Sequence, residues 1–87
     1  MQLEIKYSKN FYKQYHKLGD KIKIKVIERT RLLSRDEFNP LLNNHKLKGE
    51  YDGCRSVNVS GDIRIIYMKE GLQVVLLLQV GTHSQLY

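Results

Sequence analysis

Five consecutive apolar residues, Val74-Val75-Leu76-Leu77-Leu78, set the strongest limit on how this chain folds. An amphipathic helix or a half-exposed strand breaks its apolar residues with polar ones at a fixed period. A short run without interruption suits a strand buried on both faces, in the interior of a sheet. Such a strand needs neighbours and a covering layer, and the rest of the chain offers both. Ile63, Ile65 and Tyr67 alternate with Arg64, although Ile66 and Met68 make the second face apolar too. Val57 and Val59 alternate with Ser56 and Asn58, which reads as another strand. Lys69-Glu70-Gly71-Leu72 reads as a hairpin turn between strands.

The first half changes period. Leu3, Ile5 and Tyr7 alternate with Glu4 and Lys6, a short strand with one buried face. Ser8 offers an N-cap oxygen, and Phe11, Tyr15 and Leu18 then recur at helical spacing. Lys9, Lys13 and Lys17 recur on the opposite side of that helix, with His16 among them and expected to be exposed. Gly19-Asp20 breaks the helix and caps the next, whose buried stripe is Ile22, Val26, Thr30 and Leu33. Two helices joined by so short a break predict an antiparallel hairpin. Residues 36–53 lose periodicity and contain the only proline, Pro40, which predicts an irregular connection holding His45. The expected fold is α+β: an N-terminal strand, a helix hairpin, then three antiparallel strands in a curved sheet, all in one domain over residues 1–87.

A chain of 87 residues builds a marginal core, so a bound partner matters for its stability. A single cysteine, Cys54, excludes an internal disulfide and a cysteine-based zinc site, and fits a reducing cytosol. No apolar run follows the N-terminal Met-Gln-Leu-Glu-Ile-Lys, so neither a signal peptide nor a membrane span is expected. The net charge of +6 is uneven: residues 1–49 hold 12 Lys/Arg against 5 Asp/Glu, and residues 50–87 hold 3 against 4. A basic half suits a polyanion such as nucleic acid, although a solvated lysine surface has the same charge.

Residues able to do chemistry gather later: His45, Lys46, Lys48, Arg55, Asn58, Asp62, Arg64, Gln79, His83 and Tyr87. Two histidines and a carboxylate serve as acid and base near neutral pH. RNA carries its own nucleophile, the 2′-hydroxyl, so its cleavage needs a base, an acid and cations on the phosphate. Arg55 and Arg64 are candidates for that charge. No short metal-ligand spacing is present, and no metal or other cofactor is expected. Each residue also has a plainer reading. His45 in a loop is ordinarily solvated, Asp62 after Gly61 shapes a turn, Arg64 is placed to pair with Asp62, and Tyr87 serves as a terminal core aromatic.

Three segments carry a family pattern. Asn44 to Arg55 resembles the H-x-L-x-G-x-Y-x-G-x-R signature of YafQ-type toxins, and Gly81-Thr82-His83-Ser84-Gln85-Leu86-Tyr87 resembles their G-T-H-S-x-L-F/Y ending. Between them, Gly61-Asp62-Ile63-Arg64-Ile65-Ile66-Tyr67 resembles a strand of the wider RelE/ParE superfamily. The resemblance implies a RelE-like fold and a ribosome-dependent mRNA endonuclease. It also implies a cognate antitoxin as partner, with operator DNA bound only through the antitoxin complex. By position it implies His45, Asp62 and His83 as the catalytic set, Arg64 as the cation on the phosphate, and Tyr87 as the aromatic closing the site. Lys46, Lys48, Arg55, Asn58 and Gln79 are expected to hold RNA, with Lys9, Lys13 and Lys17 on ribosomal RNA. His83 is expected as general acid, with His45 or Asp62 as base. The chain departs from the YafQ pattern at Asn58, commonly histidine, and at Gln79, commonly arginine. Those departures keep a weakened, RNA-binding regulatory module in view beside the nuclease, and a ParE-like gyrase poison is a third reading.

Overall fold

In the computed structural model, which describes residues 2–87, Ser8 separates the first strand from the first helix. Strand β1 spans Glu4–Tyr7 and helix α1 spans Lys9–His16. The Ser8 hydroxyl accepts from Phe11 N at 3.0 Å and donates to Leu78 O at 2.8 Å. One side chain thus satisfies a helix amide that lacks an intrahelical partner and ties the helix start to the sheet. Helix α2 spans Asp20–Arg35; Gly19 takes its N-cap position without a side-chain bond. Asp20 therefore lies in the first turn instead of capping it, where its charge suits the positive end of the helix dipole. No helix of the described residues is long and apolar enough to cross a membrane.

The connection expected to be irregular contains a two-residue strand, β2, His45–Lys46, between single 3-10 turns at Pro40–Leu42 and Gly49–Tyr51. Strands β3 (Arg55–Ser60), β4 (Ile63–Glu70) and β5 (Val74–Thr82) follow, and a short helix α3 (His83–Leu86) ends the chain. The sheet order is β1-β5-β4-β3-β2. Neighbours pair antiparallel from β2 to β5, whereas β1 lies parallel to β5 with Glu4 opposite Val74. No tight hairpin joins those two strands, so nothing forces them antiparallel. The apolar run Val74–Leu78 accordingly sits inside the sheet, between β1 and β4.

Both helices cover one face of this sheet. Phe11, Val26 and Leu33 pack with Val57, Val59, Ile65, Tyr67, Val75, Leu77 and Val80 in one core, joined by Leu42. Val75 and Leu77 are buried there, but Leu76 and Leu78 are only half-buried, so the run is not sealed on both faces. The second face has no helix layer, only α3 folded back near its end. Gly81 permits that fold: a Cβ at this position would meet Gln85 Oε1 at 2.9 Å and Leu86 Cδ2 at 3.4 Å. Bulges at Val59 on β3 and Leu78 on β5 break the ladder, and bulges bend the strands that carry them.

Leu33, fully buried in α2, is the keystone of the helix–sheet contact. Leu33→Ala is expected to destabilise the protein by about 2–5 kcal/mol through lost transfer energy and a residual cavity. Urea denaturation measures this; a loss below about 1 kcal/mol would show that α2 does not hold the core as described.

Candidate functional site

Register places the polar residues of the sheet. His45, Ser56, Ile66 and Gln79 stand opposite one another on successive strands, and Asn58, Arg64 and Gly81 form a second such row. Directly paired residues project to the same side of a sheet. Val57, Ile65 and Val80, in the row between, enter the core, so these two rows face away from the helices. His45, Asn58, Arg64 and Gln79 therefore share one open face, and α3 brings His83 and Tyr87 to its far side. The backbones of His45 and Gln79 are three strand spacings apart, roughly 14 Å. Ser56 and Ile66, midway between them, are 1% and 0% exposed, so this face is covered there, and it opens as a shallow trough only along the row of part-exposed Asn58 and Arg64.

His45 is exposed, and its Nδ1 lies 3.0 Å from Asn43 O. A carbonyl only accepts, so Nδ1 carries the proton, and the neutral ring presents a lone pair at Nε2. That tautomer is the one a general base needs. The Arg64 guanidinium folds over the β3–β4 turn, donating from Nη1 to Gly61 O at 2.9 Å and to Ile63 O at 3.4 Å. Arg64 does not pair with Asp62; no ion pair among the described residues involves either side chain. Asp62 sits exposed at the hairpin tip, and the pairing of Ile63 with Thr82 puts that tip beside the start of α3. Asn58 Oδ1 is buried on the trough floor with no hydrogen-bond partner.

Helix α3 is built from the motif that ends the chain. The Thr82 hydroxyl accepts from Gln85 N at 3.2 Å, and Gln85 Oε1 accepts from Thr82 N at 2.9 Å, a reciprocal capping box. His83 follows the cap, exposed, with its ring 4.7 Å from that of Tyr87. Tyr51, which sequence reasoning passed over as a motif residue without a role, fastens this helix down. Its hydroxyl donates to Leu86 O at 2.9 Å and accepts from Gln79 Nε2 at 3.0 Å, and its ring meets Tyr87 edge to face at 5.7 Å. Gln79 thus spends its amide on holding α3, and Arg64 is left as the cation on this side of the sheet.

Other expected RNA ligands lie elsewhere. Lys46 and Arg55 pair with each other on the helix side of the sheet, not in the trough. Arg55 donates from Nε to Asn44 Oδ1 at 2.7 Å, and its guanidinium lies 5.1 Å from the Phe38 ring centroid. Lys48 is exposed in the turn after β2; Lys9, Lys13 and Lys17 are exposed along α1, remote from the trough in the fold. A cleft of about 520 Å³ opens between α1 and α2. Its lining is mainly aromatic and aliphatic, with His16, Thr30, Arg31 and Ser34 and no carboxylate.

The family model for the YafQ bacterial toxin of type II toxin–antitoxin systems matches residues 3–87. Among solved structures, the chain is similar to YafQ from Escherichia coli strain BL21(DE3), with 23% identity, a TM-score of 0.82 and 99% of each chain covered. It is similar to the Escherichia coli DinJ-YafQ toxin–antitoxin complex, with 24% identity, a TM-score of 0.80, and 100% of this chain and 99% of that chain covered. It is also similar to the RelBE2 toxin–antitoxin complex of Mycobacterium tuberculosis, with 25% identity, a TM-score of 0.78, and 95% and 100% covered. No curated protein matches.

Tyr51→Phe removes one hydroxyl and leaves Leu86 O and Gln79 Nε2 without their partner. The expected cost is about 1–3 kcal/mol where those groups stay buried. Faster hydrogen exchange at the Tyr87 amide, which donates to His83 O at 2.9 Å, is the local sign. Exchange at the wild-type rate would mean that α3 is held by other contacts.

Proposed function

The chain belongs to the YafQ family of bacterial type II toxins, and from that premise we propose that it is a ribosome-dependent mRNA endonuclease. The observation that carries the reading is that two exposed histidines flank the helix-free side of the sheet, His45 on β2 and His83 after β5, with Arg64 of β4 on the same side as His45. His45 Nε2 takes the proton from the 2′-hydroxyl of the nucleotide before the cut. The freed oxygen attacks the adjacent phosphorus, and the bond from phosphorus to the 5′-oxygen breaks. His83 as imidazolium gives its proton to that departing oxygen. The products are a 2′,3′-cyclic phosphate and a 5′-hydroxyl. The protons balance: one enters at His45, one leaves at His83, and solvent restores both.

Arg64 has donors beyond Nη1 with which to meet the charge growing on the phosphate. Asn58 offers an amide to the same group. Asp62 stands at the neighbouring hairpin tip, beside the start of α3. Tyr87 presents a ring for stacking on a base. With His45 in the tautomer a base needs and Asp62 beside α3, the choice of base falls on His45.

An exposed trough has little to enclose a substrate, so positioning falls to a larger body. The ribosome supplies it in this reading, and the lysines of α1 meet ribosomal RNA phosphates. A cognate antitoxin is the second partner, as DinJ is for YafQ of Escherichia coli. It brings the pair to operator DNA, and the setting is the cytoplasm.

Removing a general acid costs about 10²–10⁴ in rate. His83→Gln is expected to lose that much in single-turnover cleavage on programmed ribosomes while folding normally. His16→Gln, on the lysine side of α1, is expected to cut at the wild-type rate. Wild-type cleavage by His83→Gln would remove histidine from the acid's role.

A further inference from the structure

We infer that Asn44 is the register pin of the trough, fixing which side of the sheet His45 presents and so positioning the base. The inference rests on the reading of His45 as base. Strand β2 is two residues long and lies at the sheet edge, with β3 its only partner. Edge strands this short have few ladder bonds to define them, and a slip of one residue turns every side chain to the other face. Something besides the ladder must hold His45 toward the trough.

Asn44 holds it from the opposite face. Its Nδ2 donates to Tyr67 Oη at 2.7 Å and to Glu37 O at 3.0 Å, and its Oδ1 accepts from Arg55 Nε at 2.7 Å. Both amide protons and the carbonyl are thereby used. The partners are themselves fixed. Tyr67 is fully buried, and its hydroxyl donates to Glu37 Oε2 at 2.7 Å. Burial pushes that hydroxyl above its ordinary range of ionisation, as does Glu37, against the opposing bond from Asn44, so it stays a neutral donor. Glu37 Oε1 takes the Lys69 ammonium at 3.0 Å. The pin therefore joins β4, β3 and the connection after α2 at one amide.

Strand alternation does the rest. With Asn44 turned toward Tyr67, the next residue must point the other way, into the trough. A slipped β2 would offer Tyr67, Glu37 and Arg55 an imidazole, which has one donor and one acceptor when neutral, in place of two donors and an acceptor. The Nδ1–H of His45 is then set by Asn43 O, whose residue adopts the left-handed conformation at φ 46°. Asn44 touches neither RNA nor the reacting atoms in this scheme; it is a positioning residue.

The test is Asn44→Ala beside Tyr67→Phe, read by cleavage kinetics and by nuclear magnetic resonance of the free toxin. Misplacing a reacting group by about 1 Å can cost about 10² in rate. Asn44→Ala is expected to lose about that in the single-turnover rate constant, with the half-saturating concentration of programmed ribosomes unchanged. The cross-strand contact between His45 and Ser56 should disappear from its spectra. Tyr67→Phe keeps two of the three Asn44 bonds and should weaken that contact partially; it carries the comparison if Asn44→Ala does not fold. An undiminished His45–Ser56 contact in the folded variants overturns the pin. A lost contact with an undiminished rate overturns the positioning of a base. Should the wild type not cut at all, the nuclease reading fails, and the spectra still decide whether Asn44 sets the register.

Discussion

Phe11, Val26 and Leu33 bury against Val57, Ile65, Val75 and Leu77, and that contact decides which face of the sheet is left open. A sheet of alternating side chains has two faces, and the two helices cover one of them. Once Val57 and Ile65 point to the helices, Ser56, Asn58, Arg64 and Ile66 must point away. The trough is the complement of the core. Its part-exposed polar residues, Asn58 and Arg64, belong to the same strands that supply Val57 and Ile65 to the core, one residue out of phase.

Rigid placement of the two histidines then depends on polar contacts at the two ends of that trough. At one end, Tyr51 joins Gln79 to Leu86 O and holds α3 with His83 and Tyr87. At the other, Asn44 joins Tyr67, Glu37 and Arg55 and holds β2 with His45. Both clamps sit where the hydrophobic layer gives out. A four-residue helix and a two-residue strand bury too little apolar surface to hold themselves, so hydrogen bonds to the sheet do it. The Gln79 amide illustrates the trade. An arginine there would bring charge to the trough, whereas glutamine gives a neutral bond that secures α3.

Much of this was legible in the residues. The Ser8 cap, the stripes of α1 and α2 and the interior position of Val74–Leu78 all follow from period and local chemistry. The face taken by Arg55 and Lys46 did not, because it depends on the pairing of β2, and a segment without periodicity shows no strand. The parallel pairing of β1 escaped for a related reason: alternation tells which side is buried but not which neighbour a strand takes. Half-exposed Leu76 and Leu78 mark the limit of reading burial from apolarity alone, since the second layer expected above them is only α3. Tyr51 and Asn44 stood inside a recognisable motif, but their farthest partners, Leu86 and Tyr67, lie 35 and 23 residues away in sequence, beyond any local pattern.

The most direct measurement is to map the ends of a defined mRNA after cell-free translation with the purified protein. The expected result is new 5′-hydroxyl ends within translated codons, matched by 2′,3′-cyclic phosphates, and none when ribosomes are omitted. Intact mRNA under otherwise active translation would contradict the assignment of the trough as a nuclease site.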